Sequence, residues 1–212
     1  MKEHVILLHG LWMRGFTLAA LRRRLEKAGY AVALFDYASV LHEPDSSIEE
    51  LVAFTRDIAA ANKKAQIHLV GHSLGGLMAL RAIERMPDLA PGCVVCLGSP
   101  LRGSAVARSI AQLPGGGFLI GKSLDVLLQG LDHWAGQRPV GAIAGRLPLG
   151  LGLVFSALQS PHDGTVSVKE TQLPGLTDHC LVPASHTGLL FSDEAAAQTI
   201  AFLRHRRFNR AA

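Results

Sequence analysis

The chain has 212 residues, enough for one full hydrophobic core and too few to favour a second domain. Hydrophobic residues make up 49% and charged residues 18%, a balance that excludes a disordered chain. The formal net charge is +4, yet aromatic residues are only 6%, so the interleaving of basic and aromatic side chains wanted for nucleic acid is missing. Much of the excess charge is local, in Arg22-Arg23-Arg24 and in Arg204-His205-Arg206-Arg207 with Arg210. Such clusters read as solvated helix ends complementing the helix dipole, with weak attraction to an anionic membrane surface as a secondary role and no nucleic-acid partner.

Apolar runs alternate with helical patterns along the chain. The expected strands are Val5–Leu8, Val32–Phe35, Ile67–Val70, Cys93–Leu97, Val140–Ala144 and Cys180–Val182. Their near-continuous hydrophobicity fits a mostly parallel six-stranded sheet covered by helices on both faces, in one compact α/β domain over 1–212. Leu18, Leu21, Leu25 and Ala28 form one helical stripe, stopped by Gly29. Ser46-Ser47-Ile48-Glu49-Glu50 offers two overlapping capping boxes, so a helix is expected to open there. The helix after Ser73 is expected to run to Met86 and stop at Pro87, and the last helix to open at Ser192-Asp193-Glu194.

One stretch breaks the alternation, the insertion between Pro100 and Pro139. Ile120, Leu124, Leu127, Leu128 and Leu131 recur at helical spacing, which predicts one amphipathic helix over Phe118–Leu131. Gly115-Gly116-Gly117 ahead of it has the composition of a hinge, so the segment is expected to act as a lid at the carboxyl edge of the sheet and to line a pocket there. An ordinary packing helix is the alternative.

The three cysteines do not suggest a disulfide framework. Cys93 and Cys96 lie three apart in one strand, so they should face opposite sides of the sheet and share neither a metal nor a disulfide. No metal and no cofactor are expected. The opening residues carry an apolar run of only four, too short for a secretory leader, and no run is long enough to span a membrane. The expected location is cytoplasmic.

Gly71-His72-Ser73-Leu74-Gly75-Gly76 follows the run Ile67–Val70 and precedes a helical stretch. This G-x-S-x-G places Ser73 on a sharp strand-to-helix turn, with its hydroxyl clear of the sheet. Glycines are needed there because a Cβ would collide with the adjacent strand and helix. A nucleophilic serine needs a base, and the base needs an orienting acid. Asp163, in Pro161-His162-Asp163-Gly164, follows the fifth strand at the carboxyl edge; Asp178 is the alternative, at the wrong end of the last strand. His186, in Ser185-His186-Thr187-Gly188, follows the last strand and is the candidate base, whereas His179 should face the opposite edge and His162 reads as a loop residue. An oxyanion hole would take backbone N–H groups from Leu74, after the nucleophile, and from Leu11 in His9-Gly10-Leu11-Trp12, with Trp12 a near alternative. His9 and His72 read as structural hydrogen-bonding residues. Trp12, Leu124, Leu127 and Leu128 are the candidate substrate-binding side chains.

Val5–Leu11, Gly71–Gly76, Asp163-Gly164, Ser185–Gly188 and the segment Leu97-Gly98-Ser99-Pro100-Leu101-Arg102-Gly103-Ser104 together resemble the small bacterial lipases and esterases of the α/β-hydrolase superfamily. The resemblance covers about thirty residues, spread in order over nearly the whole chain. It implies an α/β-hydrolase fold, Ser73, Asp163 and His186 as catalytic residues, Leu11 and Leu74 as oxyanion donors, and a small-molecule or lipid ester as substrate, cleaved through an acyl-enzyme. Acyl transfer or thioester hydrolysis would use the same three residues. A binding protein without catalysis is the reading from a different class.

Overall fold

In the computed structural model, residues 3–63, 65–89, 92–149 and 158–210 are described. Six strands alternate with helices: β1 (His4–Leu8), α1 (Ala19–Lys27), β2 (Ala31–Phe35), α2 (Pro44–Ala61), β3 (Ile67–His72), α3 (Leu74–Glu84) and β4 (Val94–Leu97). Then come α4 (Ala105–Ala111), α5 (Gly116–Ile120), α6 (Leu124–Gln129), β5 (Val140–Gly145), α7 (Val168–Thr171), β6 (Asp178–Val182) and α8 (Asp193–His205). The sheet order is β2-β1-β3-β4-β5-β6, and every neighbouring pair is parallel. The sheet is therefore wholly parallel, where the sequence suggested mostly so.

Alternation along each strand divides the core in two. Ile6, Leu8, Leu69, Val94 and Cys96 pack on one face, against α2, α3 and the insertion. Val5, Leu7, Val70, Cys93, Val95 and Leu97 pack on the other, with Leu21, Leu25 and Phe202 from α1 and α8. Each such side chain, when fully buried, contributes roughly 1.5–3 kcal/mol. Cys93 and Cys96 thus belong to different faces, as the strand period requires. Burial pushes the Cys96 thiol up to about 12, the behaviour of a small core hydrophobe.

Helix boundaries depart from the sequence reading in three places. Helix α2 opens at Pro44, two residues before Ser46, without a side-chain cap. Proline suits the first helical turn because its missing N–H is an orphan there anyway. Ser46 and Ser47 fall inside that turn, so neither capping box forms. Helix α3 ends at Glu84 rather than Met86. The stretch expected as one helix over Phe118–Leu131 is split into α5 and α6 by a 3₁₀ turn at Gly121–Ser123, with Gly121 at φ +66°. The last helix opens as expected, with Ser192 Oγ accepting from Ala195 N at 3.1 Å and Asp193 and Glu194 in the first turn.

The basic clusters are engaged in part. Arg24 pairs with Asp193 at 2.6 Å, Arg22 with Glu26 at 2.7 Å, and Arg210 with Asp178.

The strand order reverses at β1 and β3, since the chain moves outward to β2 and then returns to the other side of β1. In open parallel sheets such a switch point leaves a crevice at the carboxyl ends of the strands. The loop Gly10–Met13 and Ser73 leave the sheet at that point.

Three glycines fix the approach of α3 to this crevice. A Cβ on Gly71 would lie 2.3 Å from the Gly75 carbonyl carbon, one on Gly75 2.6 Å from Leu8 O, and one on Gly76 2.1 Å from Ser99 Oγ. Gly71→Ala is therefore expected to destabilise the protein by about 3 kcal/mol or more, because backbone must move. Gly115→Ala, with φ +73° but open space around it, should cost only the left-handed backbone term of about 1–2 kcal/mol. Denaturant unfolding of the two variants side by side checks the difference.

Candidate active site

Ser73 stands between β3 and α3 with φ 54° and ψ −122°, outside the regions open to ordinary L-residues. Its backbone is held there from both sides: Ser73 N donates to Leu97 O at 2.9 Å, and Gly76 N donates to Ser73 O at 3.1 Å. The turn places Leu74 at the first position of α3, where backbone N–H groups have no partner within the helix.

Asp163 and His186 meet across two loops, one after β5 and one after β6. His186 Nδ1 lies 2.8 Å from Asp163 Oδ2, and His186 N donates to Asp163 O at 2.9 Å. The other carboxylate oxygen accepts from Thr165 N at 2.9 Å and Val166 N at 2.7 Å. Asp163 is 1% exposed and so has little freedom to reorient. Asp178 lies at the start of β6, where it accepts from His179 N and Phe208 N and pairs with Arg210. It does not share this site. His179 bonds to Thr171 Oγ1 at 2.8 Å, and His162 Nδ1 accepts from Gly164 N at 3.1 Å; both have local partners, away from Ser73.

Ser73 and His186 open onto one cavity of about 320 Å³. No direct hydrogen bond joins the Ser73 hydroxyl to His186 among the described residues; such bonds are often long in substrate-free sites and tighten on binding. The cavity walls are mainly apolar and include Leu11, Trp12, Val106, Ile110, Ile120 and Leu127. Of the expected substrate-binding side chains, Trp12 and Leu127 reach this cavity. Leu124 and Leu128 do not; they pack against the core beneath. Leu124, Leu127 and Leu128 all lie in α6, and only the face carrying Leu127 is turned to the cavity.

Two buried histidines support the site. His72 Nε2 lies 3.0 Å from the His186 carbonyl oxygen, so this nitrogen carries the proton and donates. Burial, reinforced by the nearby His186, lowers the His72 pKa to about 3, which keeps the ring neutral. His9 Nδ1 lies 2.8 Å from Gly10 O, Tyr37 N donates to His9 Nε2 at 3.2 Å, and Tyr37 Oη donates to His9 O at 2.8 Å. Burial lowers the proton affinity of His9 against the pull of Asp36. The loop carrying Leu11 is thereby tied at both ends of one imidazole, as structural hydrogen bonding requires.

Two residues essential to this geometry carry no catalytic signature in the sequence. Gly98 has φ +55°, and a Cβ on it would lie 3.0 Å from Asp163 Oδ2 and 3.2 Å from His186 Nδ1. A Cβ on Gly145 would lie 2.8 Å from Asp163 Cβ and 2.4 Å from Ala184 O. Both let the acid and base loops close over strand ends. Gly145 was marked only by ending a strand; Gly98 stood in the Leu97–Ser104 segment that carries the resemblance, with nothing there to assign it this spacing role. Among the described residues, no group of three or more His, Cys, Asp or Glu side chains is placed to hold a metal ion. No helix among them is long and apolar enough to cross a membrane.

A parallel sheet carrying a strained serine at its switch point, with a hydrogen-bonded acid and histidine on the next strand ends, is the layout of an α/β-hydrolase. Residues 5–204 match the model of the alpha/beta hydrolase family, and the chain belongs to that family. It is similar to a pyrethroid hydrolase of Sphingobium wenxiniae, 31% identical over 130 residues, covering 51% of this chain and 46% of that protein. A probable esterase, PIR7A, of Oryza sativa subsp. indica is 35% identical over 102 residues, covering 43% of this chain and 37% of that protein. These matches therefore span less than half the length of either relative. Among solved structures, the mature lipase BlEst2 of Bacillus licheniformis superimposes with a TM-score of 0.76 at 18% identity, over 97% of this chain and 92% of that one. A metagenomic carboxyl esterase, MGS0156, gives 0.64 at 19% identity, over 87% and 64%. At such identity the structural likeness speaks for the fold. The chain is a hydrolase-family protein related to esterases and lipases.

The buried histidines give a pH prediction. The unfolded chain takes up a proton on each histidine below about 6.5, whereas native His72 resists protonation until about 3. The unfolded state thus binds more protons in that window, so stability is highest above about 6.5 and falls as pH drops. His9, His68 and His179, also held low by burial, act in the same direction. Melting temperature should decline progressively from about pH 6.5 towards pH 3, and His72→Gln should flatten part of that decline.

Proposed function

We propose that this protein is a serine hydrolase that cleaves carboxylic esters through an acyl-enzyme on Ser73. The observation that carries this reading is the 2.8 Å Asp163–His186 bond, which opens onto the same cavity as a serine held at φ 54°.

In the proposed reaction, Ser73 Oγ attacks the ester carbonyl as its proton passes to His186 Nε2. The tetrahedral oxyanion accepts hydrogen bonds from the N–H groups of Leu74 and Leu11. Collapse breaks the bond to the alcohol oxygen, which takes the proton from His186. Water then attacks the acyl-enzyme, with His186 again as base, and releases the acid and free Ser73. Asp163 holds the imidazole tautomer that leaves Nε2 free to accept. The apolar wall formed by Ile120 and Leu127 receives the acyl chain, and Trp12 stands at its entrance.

Ser73→Ala should lower hydrolysis of a p-nitrophenyl ester by about 10⁴-fold or more. A fluorophosphonate should add once per chain, on the peptide holding Ser73. Failure to label, with the protein folded, would identify a non-catalytic binding protein. Asp163→Asn should lower kcat strongly without unfolding the protein, since the imidazole then favours the wrong tautomer. Asp178→Asn should cost stability and spare kcat. Faster turnover of a thioester, or acyl transfer to an added alcohol in preference to water, would move the assignment to those related reactions.

Chain-length selectivity tests the acyl wall. Leu127→Ala should selectively lower kcat/KM for octanoyl over acetyl esters, by up to ~1–3 kcal/mol. Leu128→Ala, which packs on the core, should lower the melting temperature and leave the octanoyl-to-acetyl ratio unchanged.

A further inference from the structure

Ten large apolar side chains are exposed among the described residues, and nine of them lie in segments leaving the carboxyl ends of the strands. Single exposed leucines mean little, but their gathering on the edge that carries the cavity does. The most exposed are Phe118 at 90%, Leu41 at 78% and Phe16 at 76%. The segments carrying Phe118 and Leu41 are structurally linked. Trp12 Nε1 donates to Leu119 O at 2.7 Å, which seats the Trp12 ring beside Phe118 and Leu119. Lys122 N donates to Val40 O at 3.0 Å, which brings Leu41 to the end of the same helix. Trp12 and Leu149 both reach the cavity wall and remain exposed.

Charge on this edge is one-sided. Helix α4 separates the main cavity from a shallower one lined by Arg102, Arg108 and Lys169. None of these three forms an ion pair among the described residues, and the same holds for Arg146 after β5. Glu170, the acid of that depression, is turned inward: it accepts from Ser167 N at 2.6 Å, from Ser167 Oγ at 2.8 Å and from Ala105 N. Asp36 and Glu43 are paired with Arg14 and Lys122. Asp125 and Asp132 of the insertion are exposed and form no ion pair among the described residues, so against Arg102, Arg108, Lys169 and Arg146 a cationic excess remains.

We propose that this edge docks on an anionic phospholipid surface, with Phe118, Leu119, Leu41 and Trp12 inserted at the headgroup boundary and Arg102, Arg108 and Lys169 against lipid phosphates. Apolar insertion alone would not choose among membranes; the unpaired cations beside it supply the choice. The cavity would then open towards the lipid. The basic chain terminus takes no part, because Arg210 is engaged at the start of β6, on the far edge of the sheet. The proposal concerns binding and does not need Ser73 chemistry.

The test is co-sedimentation of the full chain with phosphatidylcholine vesicles, with and without phosphatidylglycerol, at low and high salt. Binding is expected on the phosphatidylglycerol vesicles and should weaken with salt. Trp134 is buried, so a blue shift in tryptophan emission on binding would report Trp12. Leu41→Ser with Phe118→Ser should weaken binding about tenfold or more. Arg102→Gln, Arg108→Gln and Lys169→Gln together should weaken it on the order of 100-fold, since each cation near an anionic leaflet contributes about fivefold. Ser73→Ala should bind like the parent chain, which separates this proposal from the proposed reaction. Unchanged melting temperatures of the surface variants control for folding. Absence of binding, equal binding to neutral vesicles, or either variant binding like the parent would overturn the proposal. So would self-association that Leu41→Ser with Phe118→Ser abolishes, which would make a second copy the occupant of this face.

Discussion

The backbone of Ser73 sits at φ 54°, ψ −122°, a conformation that costs of order 1–3 kcal/mol and persists only where its surroundings overdetermine it. Those surroundings are three close approaches: Gly71 and Gly75 let the backbone of α3 meet that of β3 and the end of β1, and Gly76 leaves room for the Ser99 side chain just past β4. Much of the rest follows from that contact. It places the first turn of α3 under the cavity, it places Leu74 beside the loop carrying Leu11, and it makes the serine hydroxyl stand clear of the sheet. Gly98 extends the same device one strand further, leaving room for Asp163 and His186 to meet over the end of β4.

The parallel topology supplies the second constraint. With every strand running the same way, each carboxyl end opens on one edge; Ser73 and His186 reach it directly after β3 and β6, and Asp163 reaches it on the longer segment after β5. The acid–base pair is fixed by backbone as much as by side chains. Asp163 accepts two backbone N–H groups of its own loop, and its carbonyl accepts from His186 N. His72 then ties the His186 carbonyl back to the elbow. Its neutrality matters: a charged ring here would repel the imidazolium that His186 becomes in the proposed reaction.

The six strands and the meeting of Asp163 with His186 were legible in the sequence because both depend on local patterns. A buried parallel strand writes itself as a continuous apolar run, and a residue just past such a run falls on a known edge. That logic also separated Asp163 from Asp178 and His186 from His179. Gly98, Gly145 and the orientation of His72 were not legible, because a glycine at a strand end looks the same whether it makes a turn or makes room for a carboxylate. The start of α2 was misread for a related reason. Two serines with glutamates three residues on are a capping signal only if the backbone before them is not already helical, and Pro44 had begun the turn earlier.

The insertion shows most clearly where periodicity stops being informative. The spacing of Ile120, Leu124, Leu127 and Leu128 is helical, yet the helix is broken between the first and second of them. Periodicity says which side chains are apolar; a tertiary contact decides whether the backbone continues. Here the loop after β2 approaches so closely that a Cβ on Gly121 would lie 2.2 Å from Val40 O. Ser123 Oγ donates to Ser39 O, and Lys122 pairs with Glu43 at 2.6 Å. Trp12 holds the other piece through Leu119 O. Gly116, within the run expected to hinge, is packed so that a Cβ would meet Ile110 O at 1.7 Å. Both pieces are thus anchored to neighbouring loops, and of the three glycines expected to hinge, Gly116 is closely packed while Gly115 has open space around it. Ile120 and Leu127 still face the cavity together, because the break redirects α6 instead of releasing it. In the proposed reaction, an apolar wall already held at several points would lose less ordering entropy on binding an acyl chain than a loose one.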